Sequence, residues 1–220
     1  MLSTDKEAAA LKENLLTMAS LAISSTRNAV KAFMDRDDEL AREVEAADTR
    51  IDELEKEIDE ICITLLSRAP LASDLRMTTV AMKIGHDLER VGDEATSIAR
   101  RTIDLNTEPQ LRDNVDLPRM AQMAIDMLKS ALDAYIDKNT DSARSIIPRD
   151  KEVDSLNKQI QRELATYMIE NPANITRALH IIEISKRIER IADHATNIAE
   201  EVVFLLEGND IRHTMKKKAA

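Results

Sequence analysis

The stretch RIERIADHATNIAE, residues 187–200, sets apolar side chains at helical spacing and places Glu189 and Asp193 one turn apart. A near copy, DLERVGDEATSIAR, occupies residues 87–100 and carries Glu89 and Asp93 at the same spacing. Glu89, Asp93, Ala95, Thr96, Ile98 and Ala99 recur 100 residues later as Glu189, Asp193, Ala195, Thr196, Ile198 and Ala199. A second correspondence precedes each copy. VEAADTRIDELEKEI (44–58) aligns with IIPRDKEVDSLNKQI (146–160) at an offset of 102, matching Asp48 with Asp150, Asp52 with Asp154, Leu54 with Leu156 and Ile58 with Ile160. One short insertion or deletion reconciles the two offsets. The chain is a duplicated unit, not a long-period solenoid.

The unit is helical. Glycine (3) and proline (5) are scarce, aromatic residues make up 2%, and there is no tryptophan. Straight-chain and alanine side chains lose little freedom in a helix, whereas glycine and proline interrupt it. The predicted architecture is all-α, two tandem three-helix bundles with an aliphatic core. Breakers divide the apolar periodicity into six helices. They run from about Asp5 to Met34, from the DRDD turn (Asp35 to Asp38) to near Pro70, and from about Leu75 to Leu105 with Ser73 or Asp74 as cap. The second set runs from Pro118 to Asp137, from Asp141 to about Ile169 with Pro148 as a kink or restart, and from about Ile175 to Glu207, capped by Gly208. The expected organisation is a first repeat over 1–105, a linker over 106–118, a second repeat over 119–210 and a tail over 211–220. Helices of about 30 residues are roughly 45 Å long, so an elongated molecule is expected.

A net charge of −10 argues against nucleic acid as a partner, which requires a basic face. The basic end around Lys216 to Lys218 reads as a short disordered tail. The single cysteine, Cys62, lies in the apolar run EICITLL and reads as a small buried hydrophobe. No signal-type segment and no run of about 18 apolar residues occurs, so a soluble cytoplasmic protein is expected.

With Ile84 at zero and about 100° per residue, Leu88, Val91, Ala95 and Ile98 form the core stripe, while Glu89 and Asp93 fall near 140° and 180° behind it. Glu189 and Asp193 take the same place behind the stripe of Ile184, Ile188, Ile191, Ala195, Ile198 and Val202. Asp48, Asp52 and Glu55 sit on the shoulder of the second helix, and Asp150 and Asp154 repeat that placement around Val153. Four helices thus carry acidic pairs at i, i+4, where like charges repel. One account is a solvated face whose charge Arg90, Arg187 and Arg190 neutralise. The other is a cation site, because carboxylates without thiolates suit hard or borderline ions such as Mg²⁺, Mn²⁺, Ca²⁺ or iron. His86 precedes Glu89 by one turn and reads as an exposed neighbour; His180 and His194 read as surface residues or partner contacts. There is no Glu-x-x-His pair, no phosphate-cradling glycine loop and no nucleophile with a base, so no catalytic residue is assigned.

APLASDLR (69–76), DLERVGD (87–93), DKEVDSLNKQI (150–160), RIERIADHATNIAEEVVFLLEG (187–208) and NDIRH (209–213), in this order over nearly the whole chain, resemble the PhoU family of phosphate-signalling regulators. The resemblance implies two three-helix bundles related by pseudo-twofold symmetry and a homodimer. It implies a cytoplasmic adaptor that restrains phosphate uptake and the phosphate-starvation (Pho regulon) response. The implied partners are the ATPase subunit of the phosphate ABC transporter and the membrane sensor histidine kinase, so membrane contact would come only through partners. Multinuclear metal clusters, of iron or of Mn, Mg or Zn, are also implied. Their ligands would be Glu89 and Asp93 in one repeat and Glu189 and Asp193 in the other, with Asp48, Asp52, Asp150 and Asp154 as further ligands. The first copy departs from the second, with Glu94 for His194, Ser97 for Asn197 and Gly92 for Ala192, and a first site of weaker affinity or different nuclearity is expected from that. The alternatives are a carboxylate-bridged metal-dependent hydrolase and a structural or chaperone-like bundle without specific metal.

Overall fold

The computed structural model describes residues 3–68, 71–111 and 116–212, with side chains from residue 6 onward. Among the described residues there are seven α-helices and no strand. The first three are α1 (Ser3–Asp35), α2 (Asp38–Leu66) and α3 (Ala72–Asn106). Then come α4 (Leu117–Asp137), α5 (Thr140–Ile146), α6 (Asp150–Glu170) and α7 (Ile175–Glu207). Helices α1–α3 pack on one another, α4–α7 do the same, and α3 and α7 join the two bundles. None of the helices is long and apolar enough to cross a membrane.

The predicted fifth helix is two. Pro148 sits in a 3₁₀ turn, Ile147–Arg149, between α5 and α6, because its ring cannot donate the hydrogen bond that a continuous helix needs there. Asp37 and Asn139 cap α2 and α5 by accepting from the backbone N–H groups of Leu40 and Ser142. Gly208 ends α7 with φ of 70°, the left-handed cap that glycine adopts without strain.

The expected cap of α3 is corrected. The helix starts at Ala72, and Asp74 lies inside its first turn, where its carboxylate accepts the N–H of Leu71. Asp74 therefore does the reciprocal half of a capping box, and Ser73 is a helical residue. The second helix ends at Leu66, and the predicted end near Pro70 lies outside the described residues, as do part of the linker and the Lys216–Lys218 tail.

The core stripe stands as predicted, with Ile84, Leu88, Val91, Ala95 and Ile98 fully buried, and Ile188, Ile191, Ala195, Ile198 and Val202 likewise. Each isoleucine, leucine or valine so buried contributes about 1.5–3 kcal/mol. Cys62 is buried, its thiol donates to the Thr78 carbonyl at 3.7 Å, and burial pushes its pKa up to about 12.

Helices α3 and α7 cross antiparallel, and their contacts are self-mirrored under exchange of the repeats. Asp87 pairs with His194 at 2.8 Å and with Asn197 at 3.2 Å. The equivalent positions give Arg187 to Glu94 at 3.0 Å, with Arg190 to Glu94 at 3.3 Å. Farther out, Lys83 grips both oxygens of Glu201 at 3.0 Å, mirrored by Arg101 and Glu183 at 4.0 Å. Position for position the fixed charges are exchanged: Lys83 answers to Glu183, Glu201 to Arg101 and Asp87 to Arg187. Glu94, Asp87 and Glu201 are buried, at 7%, 9% and 4% exposure, so these ion pairs lie inside the seam.

Candidate metal centres

Packing of α2 on α3 brings the first predicted acidic set together. The helices run antiparallel, with Glu45 reaching Arg100 at 2.6 Å near one end and Cys62 reaching Thr78 near the other. Between these contacts, Asp48 faces Asp52 and Asp93, and Glu89 faces Asp93 and Glu55. Burial, then Asp52 and Asp93, raise the Asp48 pKa, against the opposing pull of Thr96 and Arg100. Burial and Asp93 likewise raise that of Glu89. The four predicted residues Asp48, Asp52, Glu89 and Asp93 therefore form one cluster.

Glu89 is not behind the core in open solvent. Its side chain is 15% exposed, because α2 covers the face that a lone helical wheel assigns to water. Its Oε2 atom is buried and accepts no hydrogen bond, although Arg90 Nε lies 3.2 Å away. Asp93 is more open, at 44%, and accepts from Arg90 at 2.9 Å.

The second set assembles in the same way between α6 and α7. Glu189 lies against Asp193, Asp154 and Asp150 and hydrogen-bonds to Asp154. Burial, then these carboxylates, push its pKa up to about 7. Carboxylates gathered this closely repel one another, which disfavours the charged form of Glu189.

The helices approach closely at the first cluster. A Cβ on Gly92 would stand 3.0 Å from Ile51 Cδ1 and 3.1 Å from Asp48 Oδ1. The second repeat carries Ala192 there, fully buried, and Val153 where the first has Ile51. Valine lacks the δ-carbon that crowds Gly92, so the departure between the repeats is a matched exchange of volume.

Glu94 and His194 do not join the acidic clusters. They lie in the α3–α7 seam, so the exchange of Glu94 for His194 falls outside the carboxylate set. His194 is a half-buried partner of Asp87, where a surface residue or partner contact is expected from the sequence. His86 is exposed, as expected, and lies beside Glu55. Asp87 and Glu94 were missed as structural residues. Their flanking position, about 60° and 80° from the stripe of α3, was the available signal.

The donor set of both clusters is oxygen, the right chemistry for hard and borderline cations, and the burial and carboxylate crowding at Glu89 and Glu189 fit a ligand role.

Comparison with known proteins bears on the whole chain. A family model described as the PhoU domain matches residues 15–102 and 117–202. The phosphate-specific transport system accessory protein PhoU homolog of Pseudomonas aeruginosa is 42% identical, covering 92% of this chain and 85% of its own. The homolog of the same name from Aquifex aeolicus is 40% identical over 94% and 95% of the two chains. The crystal structure of PhoU from Pseudomonas aeruginosa superposes with a TM-score of 0.90 at 40% identity, covering 93% of this chain and 99% of that one. That of the phosphate transport system regulatory protein PhoU from Streptococcus pneumoniae gives 0.88 at 28% identity, covering 94% and 99%.

Proposed function

The chain belongs to the PhoU family, and from that premise we propose that it is a non-catalytic adaptor that restrains phosphate uptake and phosphate-starvation signalling when phosphate is plentiful. It acts by contact with the ATPase subunit of the phosphate transporter and with the sensor histidine kinase. The observation that carries this reading is the length of the match: relatives named as transport accessory proteins align over more than nine tenths of the chain, through both repeats.

The acidic clusters hold cations in this account. Asp48, Asp52, Glu89 and Asp93 form one ligand set and Asp150, Asp154, Glu189 and Asp193 the other. A bound cation supplies positive charge that offsets carboxylate repulsion. The protein's part is to hold four carboxylates on two facing helices and so couple cation binding to the rigidity of each pair. Relatives named as accessory and regulatory proteins support a regulator over a hydrolase.

The test is genetic. Deleting the gene in its host should raise a phosphate-starvation reporter at high phosphate, and the parent chain should restore repression. Reporter activity unaffected by the deletion would contradict the regulatory role.

A further inference from the structure

The first cluster has two groups that its counterpart lacks. Glu55 of α2 and His86 of α3 stand beside Glu89, and one ligand atom from each of the three lies within 4.8 Å of the others. His86 Nδ1 is 3.3 Å from Glu55 Oε1. Two ligands at about 2.0–2.1 Å from a tetrahedral zinc ion are themselves about 3.3 Å apart. Glu89 offers a carboxylate oxygen to the group from a side chain only 15% exposed. Glu55 and His86 line an open cleft between α2, α3 and α7, which Lys83 and Arg212 also line, so both are reached from solvent.

The second repeat cannot repeat this arrangement. Asn157 stands where Glu55 would be, and Lys186 where His86 would be. Asn157 accepts from Ser185 and Gln161, and Lys186 is drawn to Glu183 at 2.9 Å. An amide engaged elsewhere and a fixed positive charge offer a cation nothing.

We propose that Glu55, His86 and Glu89 form a mixed imidazole–carboxylate subsite for a borderline divalent cation, of which Zn²⁺ is the reference, beside the first carboxylate cluster. The second cluster has oxygen donors alone. The two repeats then differ in kind of ion, because imidazole nitrogen binds zinc and other first-row ions, whereas Mg²⁺ and Ca²⁺ keep to oxygen. The proposal rests on the reading of the clusters as cation sites.

The full chain has four histidines, so ¹⁵N-histidine labelling resolves His86 directly, assigned by its absence in His86→Lys. Zn²⁺ is titrated while ring ¹⁵N shifts and bound zinc are both measured, with Mg²⁺ as the parallel probe. The expected result is one imidazole moving to a metal-bound shift, saturating with one Zn²⁺ per chain, and unmoved by Mg²⁺. His86→Lys and Glu55→Asn, which install the second repeat's residues, should each weaken that zinc site at least tenfold. Stoichiometric zinc with an unmoved His86 signal would overturn the proposal and leave the carboxylate clusters standing. So would unchanged zinc affinity in His86→Lys. No binding of either ion would remove the cluster reading and the subsite together.

Discussion

Glu189 shows what a carboxyl does when its neighbours are carboxyls. Its pKa rises from an ordinary 4.5 to about 7, first through burial and then through Asp193 and Asp154. Between those values the folded chain keeps a proton that the unfolded chain has released. Stability from this group is therefore lost as pH rises through that window. Asp48 and Glu89 are shifted in the same direction and add to the trend. In chelator-treated protein the melting temperature should fall between pH 5 and pH 7.5, and Glu189→Gln should flatten the fall. A saturating cation should reverse it, since binding displaces the proton. Thermal melts by circular dichroism decide this; a Glu189→Gln profile parallel to the parent's would contradict it. At this scale the sequence was informative about which residues repeat, since Asp48, Asp52, Glu89 and Asp93 all recur in the second half. It placed the core stripe but not the burial of Glu89. A helical wheel cannot say that α2 covers Glu89, nor that Glu55 meets His86, because both depend on the register of one helix against another.

The elements themselves were legible because their signals are local. Isoleucine and leucine at 3.6-residue spacing, Pro148 and Gly208 mark helices, a break and an end without reference to anything distant. The start of α3 was misplaced because Asp74 can cap a helix from outside or brace it from the third position, and sequence does not distinguish the two. The α3–α7 seam was invisible for a different reason: its partners are some 82 to 118 residues apart. The exchanged charges there have a consequence. Pairing α3 with a second α3 would set Asp87 against Glu94 and Lys83 against Arg101, like against like, so the seam selects the partner repeat. Glu94→Arg buries a cation against Arg187 and Arg190 and should cost about 3 kcal/mol in chemical denaturation. Adding Arg187→Glu should recover at least half of that loss. Additive losses in the double variant would show that the pair carries no selectivity.

At the scale of the whole molecule, duplication explains most of the architecture. Two bundles of the same plan meet through equivalent helices, and each presents four carboxylates between its second and third helical positions. The family was readable from ordered motifs spread over both repeats, and the comparisons carry it at 40% identity or more in several relatives. The cation content was not readable, because four carboxylates on facing helices look alike in sequence whether they face water or hold an ion. The most direct test is to measure bound metal per chain by elemental analysis after gentle purification and after reloading. The parent is compared with Glu89→Gln/Asp93→Asn and Glu189→Gln/Asp193→Asn. The account predicts at least one ion per repeat in the parent, with each double variant losing the share of its own repeat and keeping the other. A parent with no bound metal after reloading, or variants that retain the parent's full content, would contradict it.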